Sequence, residues 1–105
     1  MTAKTRKQQL QEMLTEEPND PFLRYGLAME LVSEGADEEA VQCFQELCTV
    51  APEYVPGYLQ VGQALVRLGR VDEARTVFAR GIALARQQGD AHAADEMAGF
   101  LANLG

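Results

Sequence analysis

The sequence predicts an all-α protein of about six antiparallel helices, most of them paired as hairpins that repeat along the chain. Three observations carry this expectation. The stretch GADEEAVQCF at Gly35 to Phe44 returns, altered, as GRVDEARTVF at Gly69 to Phe78. Laid over one another without a gap, residues 21–54 and 55–88 share Leu31 with Leu65, Val32 with Val66, Gly35 with Gly69, Glu39 with Glu73, Ala40 with Ala74, Phe44 with Phe78 and Ala51 with Ala85. Apart from the glutamate pair, these are apolar, small or glycine positions, where packing leaves least choice. Finally, the prolines and the glycines outside packing positions stand where helices must begin or end.

The elements follow in order. Residues 4–15 put Leu10, Met13 and Leu14 on one face of a polar helix, and Pro18 follows it as Pro52 follows its own helix one repeat length on. This reads as the second helix of a truncated preceding repeat. The first repeat opens at NDPF, where Asp20 can cap free N–H groups and Pro21 takes the first helical position, and its first helix stops at Gly35. Its second helix starts near Asp37, with Glu38 and Glu39 at the positive end of the helix dipole, and Pro52 prevents continuation far beyond Val50. In the second repeat Pro56 starts a helix, Gly69 ends it, Asp72 is expected to cap the next and Gly89 to close that one. Residues 90–104 open with Asp90 and place Ala93, Met97, Phe100, Leu101 and Leu104 on one stripe, with Asp95, Glu96 and Asn103 off it. The expected organisation is a single domain over residues 1–105, with a capping helix in 1–18, repeats at 21–54 and 55–88, and a second capping helix in 90–104. A repeat array exposes apolar surface at each end, and half-polar helices cover it.

Ala40 and Ala74 sit one turn before Phe44 and Phe78 on the same helix face, so a neighbouring helix can approach at the alanine while the phenylalanine fills the space beyond it. With this feature the chain resembles the tetratricopeptide repeat family. Leu27, Ala28, Leu31, Ala40, Phe44 and Pro52 meet that family's pattern in the first unit, and Tyr58, Val61, Gly62, Leu65, Ala74 and Phe78 meet it in the second. Two positions depart from it: Arg24 stands where the first unit should have its aromatic, and Arg86 where the second should have proline, so the last repeat helix is expected to run to about Gln88. The resemblance implies a right-handed alpha-alpha superhelix and a protein-interaction role.

Bulk properties exclude several classes. At 105 residues, 47% hydrophobic and 24% charged, the chain has the make-up of an ordinary globular domain. The longest apolar runs, such as GIALA, are far too short to span a bilayer, and MTAKTRKQQLQEM has a basic flank without the apolar core of a secretory signal. A cytoplasmic location, away from the membrane, is expected. Net charge is −7. It is uneven, since residues 1–54 carry four basic and eleven acidic side chains and residues 55–105 carry five of each. An acidic half repels phosphate backbones, so nucleic acid is not an expected partner. Cys43 and Cys48 lie five apart on one expected helix, point to different sides and match no zinc spacing, so neither a disulfide nor a metal site is expected.

Catalysis finds no support. His92, the one histidine, has no Ser or Cys nucleophile at motif spacing, there is no Gly-rich phosphate loop, and adjacent carboxylates such as Glu16 and Glu17 lie on a polar surface that would not separate their pKa values. No enzyme activity and no cofactor are expected. Binding is the remaining class. Phe22, Tyr25, Met29 and Val32 form a second apolar stripe on the first repeat's leading helix, and Leu59, Gln63 and Val66 occupy the matching face in the second. The resemblance implies that this face lines a concave groove that takes a peptide or helix of another protein. Plain repeat-on-repeat packing competes for Met29 and Val32. Some family members grip a terminal carboxylate with Lys and Asn at groove positions; here Tyr25, Met29, Gln60 and Gln63 stand there, so that activity is not expected. Glu34, Asp37, Glu38 and Glu39 could dock a basic partner, but Arg67 and Arg70 lie about one repeat away and stacked turns would neutralise them. The alternative function is self-association, with ends or grooves meeting in a homodimer that scaffolds a larger assembly.

Overall fold

The computed structural model describes residues 3–104, and every regular element within them is helical. The helices are α1 (Arg6–Glu16), α2 (Pro21–Ser33), α3 (Asp37–Val50), α4 (Val55–Arg67), α5 (Val71–Gln87) and α6 (Ala91–Ala102). Each packs on its neighbour in sequence, and α6 also reaches back to α4, which gives an elongated body of 50 × 28 × 20 Å.

Five of the six helix starts are set by two kinds of chemistry, and that of α4 by its proline. Thr5 caps α1 in a reciprocal pair with Gln8: the Gln8 N–H donates to Thr5 Oγ1 at 3.1 Å, and the Thr5 N–H donates to Gln8 Oε1 at 2.9 Å. Asp20 Oδ1 accepts from the N–H groups of Phe22 and Leu23 ahead of α2, and Asp90 Oδ1 from that of Ala93 ahead of α6. The starts of α3 and α5 lack a side-chain cap and carry acidic residues in the first turn instead. Asp72 is one of these. The expected cap position belongs to Arg70, because α5 starts at Val71, and the exposed Asp72 carboxylate pairs with Arg75 at 2.6 Å. Similarly, α4 begins one residue before Pro56, at Val55.

The ends of α2, α4 and α5 share one device. Gly35, Gly69 and Gly89 adopt φ of 76°, 77° and 74°, a left-handed turn that a residue with a Cβ resists. Each turn carries the same paired hydrogen bonds, shown by Ala36 N–H to Leu31 O at 2.9 Å, Arg70 N–H to Leu65 O at 2.8 Å and Asp90 N–H to Ala85 O at 2.8 Å. The third is the exit of α5, which continues through Arg86 to Gln87 where the first repeat's helix stops before Pro52.

The core runs along the axis as a single cluster, with Ala28, Ala40, Phe44, Leu47, Ala64, Ala74, Phe78 and Met97 fully enclosed. Ala40 and Ala74 are fully buried, and one turn after Ala74 a Cβ at Gly62 would clash with the Phe78 ring, so α4 and α5 touch backbone to ring there. Two expected cap contacts differ. Leu10 is buried against Gly26 of α2, but Met13 is 52% exposed at the edge of an open cleft between α1 and α2. Met97 is fully buried, whereas Phe100 is 37% exposed while one face of its ring stacks on Phe78 at 5.8 Å. On α6 the buried residue that the stripe omitted is Ala94.

Arg24 takes over the role of the aromatic it replaces. Its Nε–H donates to the Pro18 carbonyl and its Nη1 reaches Glu46 at 2.9 Å. At the equivalent position of the second repeat the Tyr58 hydroxyl donates to the Pro52 carbonyl at 2.7 Å.

Candidate functional site

The acidic turn is largely neutralised within the chain. Asp37 is held by Arg67 through two hydrogen bonds of 3.0 Å, Glu38 by Arg70 at 3.1 Å and Glu34 by Lys7 at 3.3 Å. These pairs tie successive elements together at the surface, where solvent screening leaves each of them a small contribution. Arg70 also donates to Glu73 and thereby holds that carboxyl below the usual range.

The apolar stripe divides into three parts. Tyr25, Met29, Val32 and Leu59 are half-buried and pack on the core. Tyr25 sits between Phe44, at 6.1 Å between ring centroids, and Tyr54, at 5.6 Å, so more of its ring is committed to the fold than the spacing alone implies. Phe22 is 74% exposed, with its edge toward Tyr54. Gln63 and Val66 lie elsewhere, on α4, in a cleft of about 330 Å³ whose other wall is α6. That cleft is bounded by Val66, Phe100 and Leu104 as apolar surface and by Gln63, Arg67 and Asn103 as polar rim. Its polar groups are two amides, able to donate and accept, and a guanidinium already engaged by Asp37. The cleft can therefore seat an apolar side chain and hydrogen-bond the backbone that carries it.

Sequence reasoning sets α6 against α4 and α5 but names none of its residues in the groove. A signal was available: Met97, Ala98, Leu101 and Leu104 follow Val61, Gly62, Leu65 and Leu68 at one constant offset, so α6 has the pattern of a repeat's first helix. A first helix belongs beside α4 on the same face.

The remaining reactive groups have structural surroundings. Burial pushes the Cys48 thiol up to about 11 against the pull of Arg80, and burial with Glu46 raises Cys43, so both stay protonated at neutral pH. Both are free thiols. Tyr54 and Tyr58 are likewise raised by burial. His92 is exposed at the start of α6. Among the described residues no group of three or more His, Cys, Asp or Glu side chains is placed to hold a metal ion, and no helix is long and apolar enough to cross a membrane.

With this geometry in view, the pattern of the tetratricopeptide repeat matches residues 23–54 and again 55–88. The chain belongs to the tetratricopeptide repeat family. It is 32% identical over 95 residues to a TPR repeat-containing protein of Pseudomonas aeruginosa, covering 90% of each chain. A tetratricopeptide repeat domain protein from Salinibacter ruber, solved in solution, is 34% identical, covers 83% of this chain and 88% of its own, and superposes with a TM-score of 0.78. PcrH, solved in complex with the chaperone binding region of PopD, shares the fold with a TM-score of 0.88 at 20% identity, over 93% of this chain and 74% of its own. Tetratricopeptide repeat domains are generally protein-interaction modules and typically not catalytic.

Proposed function

We propose that the chain holds a peptide or helix of a partner protein in the groove lined by α2, α4 and α6, with Val66 and Phe100 as the apolar floor of its C-terminal end. The observation that carries this reading is the cleft between α4 and α6. Phe100 and Val66 are each 37% exposed, yet both border one concave apolar site with amide groups on its rim. Isolated exposed apolar residues are ordinary, whereas convergent ones around a cleft mark a binding surface. Gln63 lines this cleft, and the proposed groove extends over Leu59 of α4 and over Tyr25, Met29 and Val32 of α2, which pack on the core, to the exposed Phe22. PcrH, with its bound region of PopD, supplies the precedent for a partner segment on this fold. Two unpaired, half-buried thiols accord with a reducing compartment, and we place the module in the cytoplasm.

The test uses peptides selected from a random library on the wild-type protein and measures their affinity by fluorescence anisotropy. Val66→Glu should weaken binding at least about tenfold with thermal unfolding unchanged, because the side chain is exposed and its loss removes an apolar anchor. Glu39→Lys should change affinity less than about twofold at physiological salt. Equal binding to wild type and Val66→Glu would move the site out of the groove.

A further inference from the structure

Charge is unevenly matched along the proposed groove. The stripe residues of α2 and α4 are uncharged, and the one cation on the cleft rim, Arg67, is already held by Asp37 through two hydrogen bonds of 3.0 Å. The helix on the other side of the cleft is different. α6 contains no lysine or arginine, and the carboxylates of Asp95 and Glu96 are exposed with no ion-pair or hydrogen-bond partner among the described residues. Several acidic side chains elsewhere are matched across elements, as Glu30 is by Arg6 at 3.0 Å and Glu46 by Arg24 at 2.9 Å. Glu16, Glu17, Glu39 and Glu53 also lack an ion pair among the described residues, but none of them stands on α4 or α6.

Helical geometry ties those carboxylates to the cleft. Glu96 stands four residues before Phe100, on the same face of α6 and about 6 Å earlier along its axis, and Asp95 adjoins it. One turn of α6 therefore presents an exposed apolar ring and an uncompensated negative charge in line.

We infer that the occupant of the groove is a basic amphipathic helix of another protein, which seats an apolar side chain between Val66 and Phe100 and sets a lysine or arginine against Glu96 and Asp95. Positions four apart on a helix lying along α6 have the same spacing of about 6 Å, so one face of one helix meets both features. The competing chemistries fit less well. An acidic segment is repelled at Glu96, and a wholly apolar one strips water from the two carboxylates without supplying a cation. The chain's net charge of −7 attracts any basic partner from a distance, so the local contribution has to be separated from the overall one. This inference rests on the groove reading and names the chemistry of what the groove holds.

Two synthetic helical peptides test it. They share leucines spaced three and four apart and differ only in carrying lysine or glutamate at the polar positions, and fluorescence anisotropy measures each against the full chain. The lysine peptide should bind at least about tenfold more tightly, and raising salt from about 50 mM to about 500 mM should weaken it several-fold. Asp95→Lys with Glu96→Lys should reverse the preference, and Asp95→Asn with Glu96→Gln should remove most of it. Glu16→Lys with Glu17→Lys makes the same change of net charge outside the cleft and should shift the preference by less than about threefold. All four positions are exposed, and far-ultraviolet circular dichroism confirms that each variant is folded. Val66→Asn should weaken the lysine peptide about tenfold; no change there would sink the groove reading and this inference with it. Where Val66→Asn does weaken binding, equal affinities for the two peptides, or a preference that survives both α6 variants, leave the groove standing and overturn the basic occupant. So does a Glu16 and Glu17 variant that alters the preference as strongly as the α6 variants, or a lysine peptide that fails to bind at about 1 mM.

Discussion

In the first repeat Leu47 of α3 projects toward α4 and lies over Gly57, where an added Cβ would come within 3.2 Å of it. In the second repeat the glycine is on the other partner. Gly81 stands at the position of Leu47, and Met97 of α6 projects back over it, with Tyr58 of α4 closing from the side. The knob and the hole have exchanged helices between one hairpin interface and the next. The loop contacts show a similar exchange, since Arg24 and Tyr58 reach equivalent proline carbonyls with unrelated chemistry. The difference teaches that the fold requires a filled interface and a satisfied carbonyl at each step, and leaves open which side chain supplies them.

Transplanting residues between the repeats tests this. Gly81→Leu gives the second repeat the residue of the first and places a side chain where Met97 Sδ would be 2.5 Å from its Cβ. We expect a loss of about 3 kcal/mol by urea denaturation, through overpacking against two helices. An unchanged midpoint would show that α6 does not depend on that hole. Gly62→Ala copies Ala28 in the same way. The added methyl meets the Phe78 ring, but alanine favours the helix by about 1 kcal/mol, so a net loss of about 1 kcal/mol is expected. Net stabilisation would mean that Phe78 withdraws as freely as Phe44 accommodates Ala28. The smallest effect belongs to Tyr58→Phe, which removes only the hydrogen bond to Pro52 and should cost about 0.5 kcal/mol at this partly exposed site. A cost several times larger would make the tyrosine contact stronger in kind than its arginine counterpart.

The repeat boundaries were legible because glycine and proline have few permitted places: Gly35, Gly69, Pro21 and Pro52 mark ends in the sequence for the same steric reasons that they mark them in the structure. Phe44 and Phe78 were legible through their alanines. Arg24 was not, because a long side chain bending back to the carbonyl of Pro18 leaves no periodic trace. Asp72 was misplaced because acidic side chains favour both the cap and the first turn. The exposure of Met13, and of the outer face of Phe100 while its ring stacks on Phe78, was not legible because helical spacing tells which residues share a face, and the neighbour that covers that face is decided elsewhere in the chain. Spacing likewise gathered a stripe on α2 and α4 and set α6 against α4 and α5, but it did not show that Gln63 and Val66 face Phe100 across a cleft.

The neighbour-by-neighbour packing of the six helices has a kinetic side. Every interface is made between segments that are adjacent, or nearly so, along the chain, so each step of assembly closes only a short loop and loses little chain entropy before contacts form. No single nucleus is obligatory. Either complete hairpin can form first and recruit the next helix on whichever side it arrives.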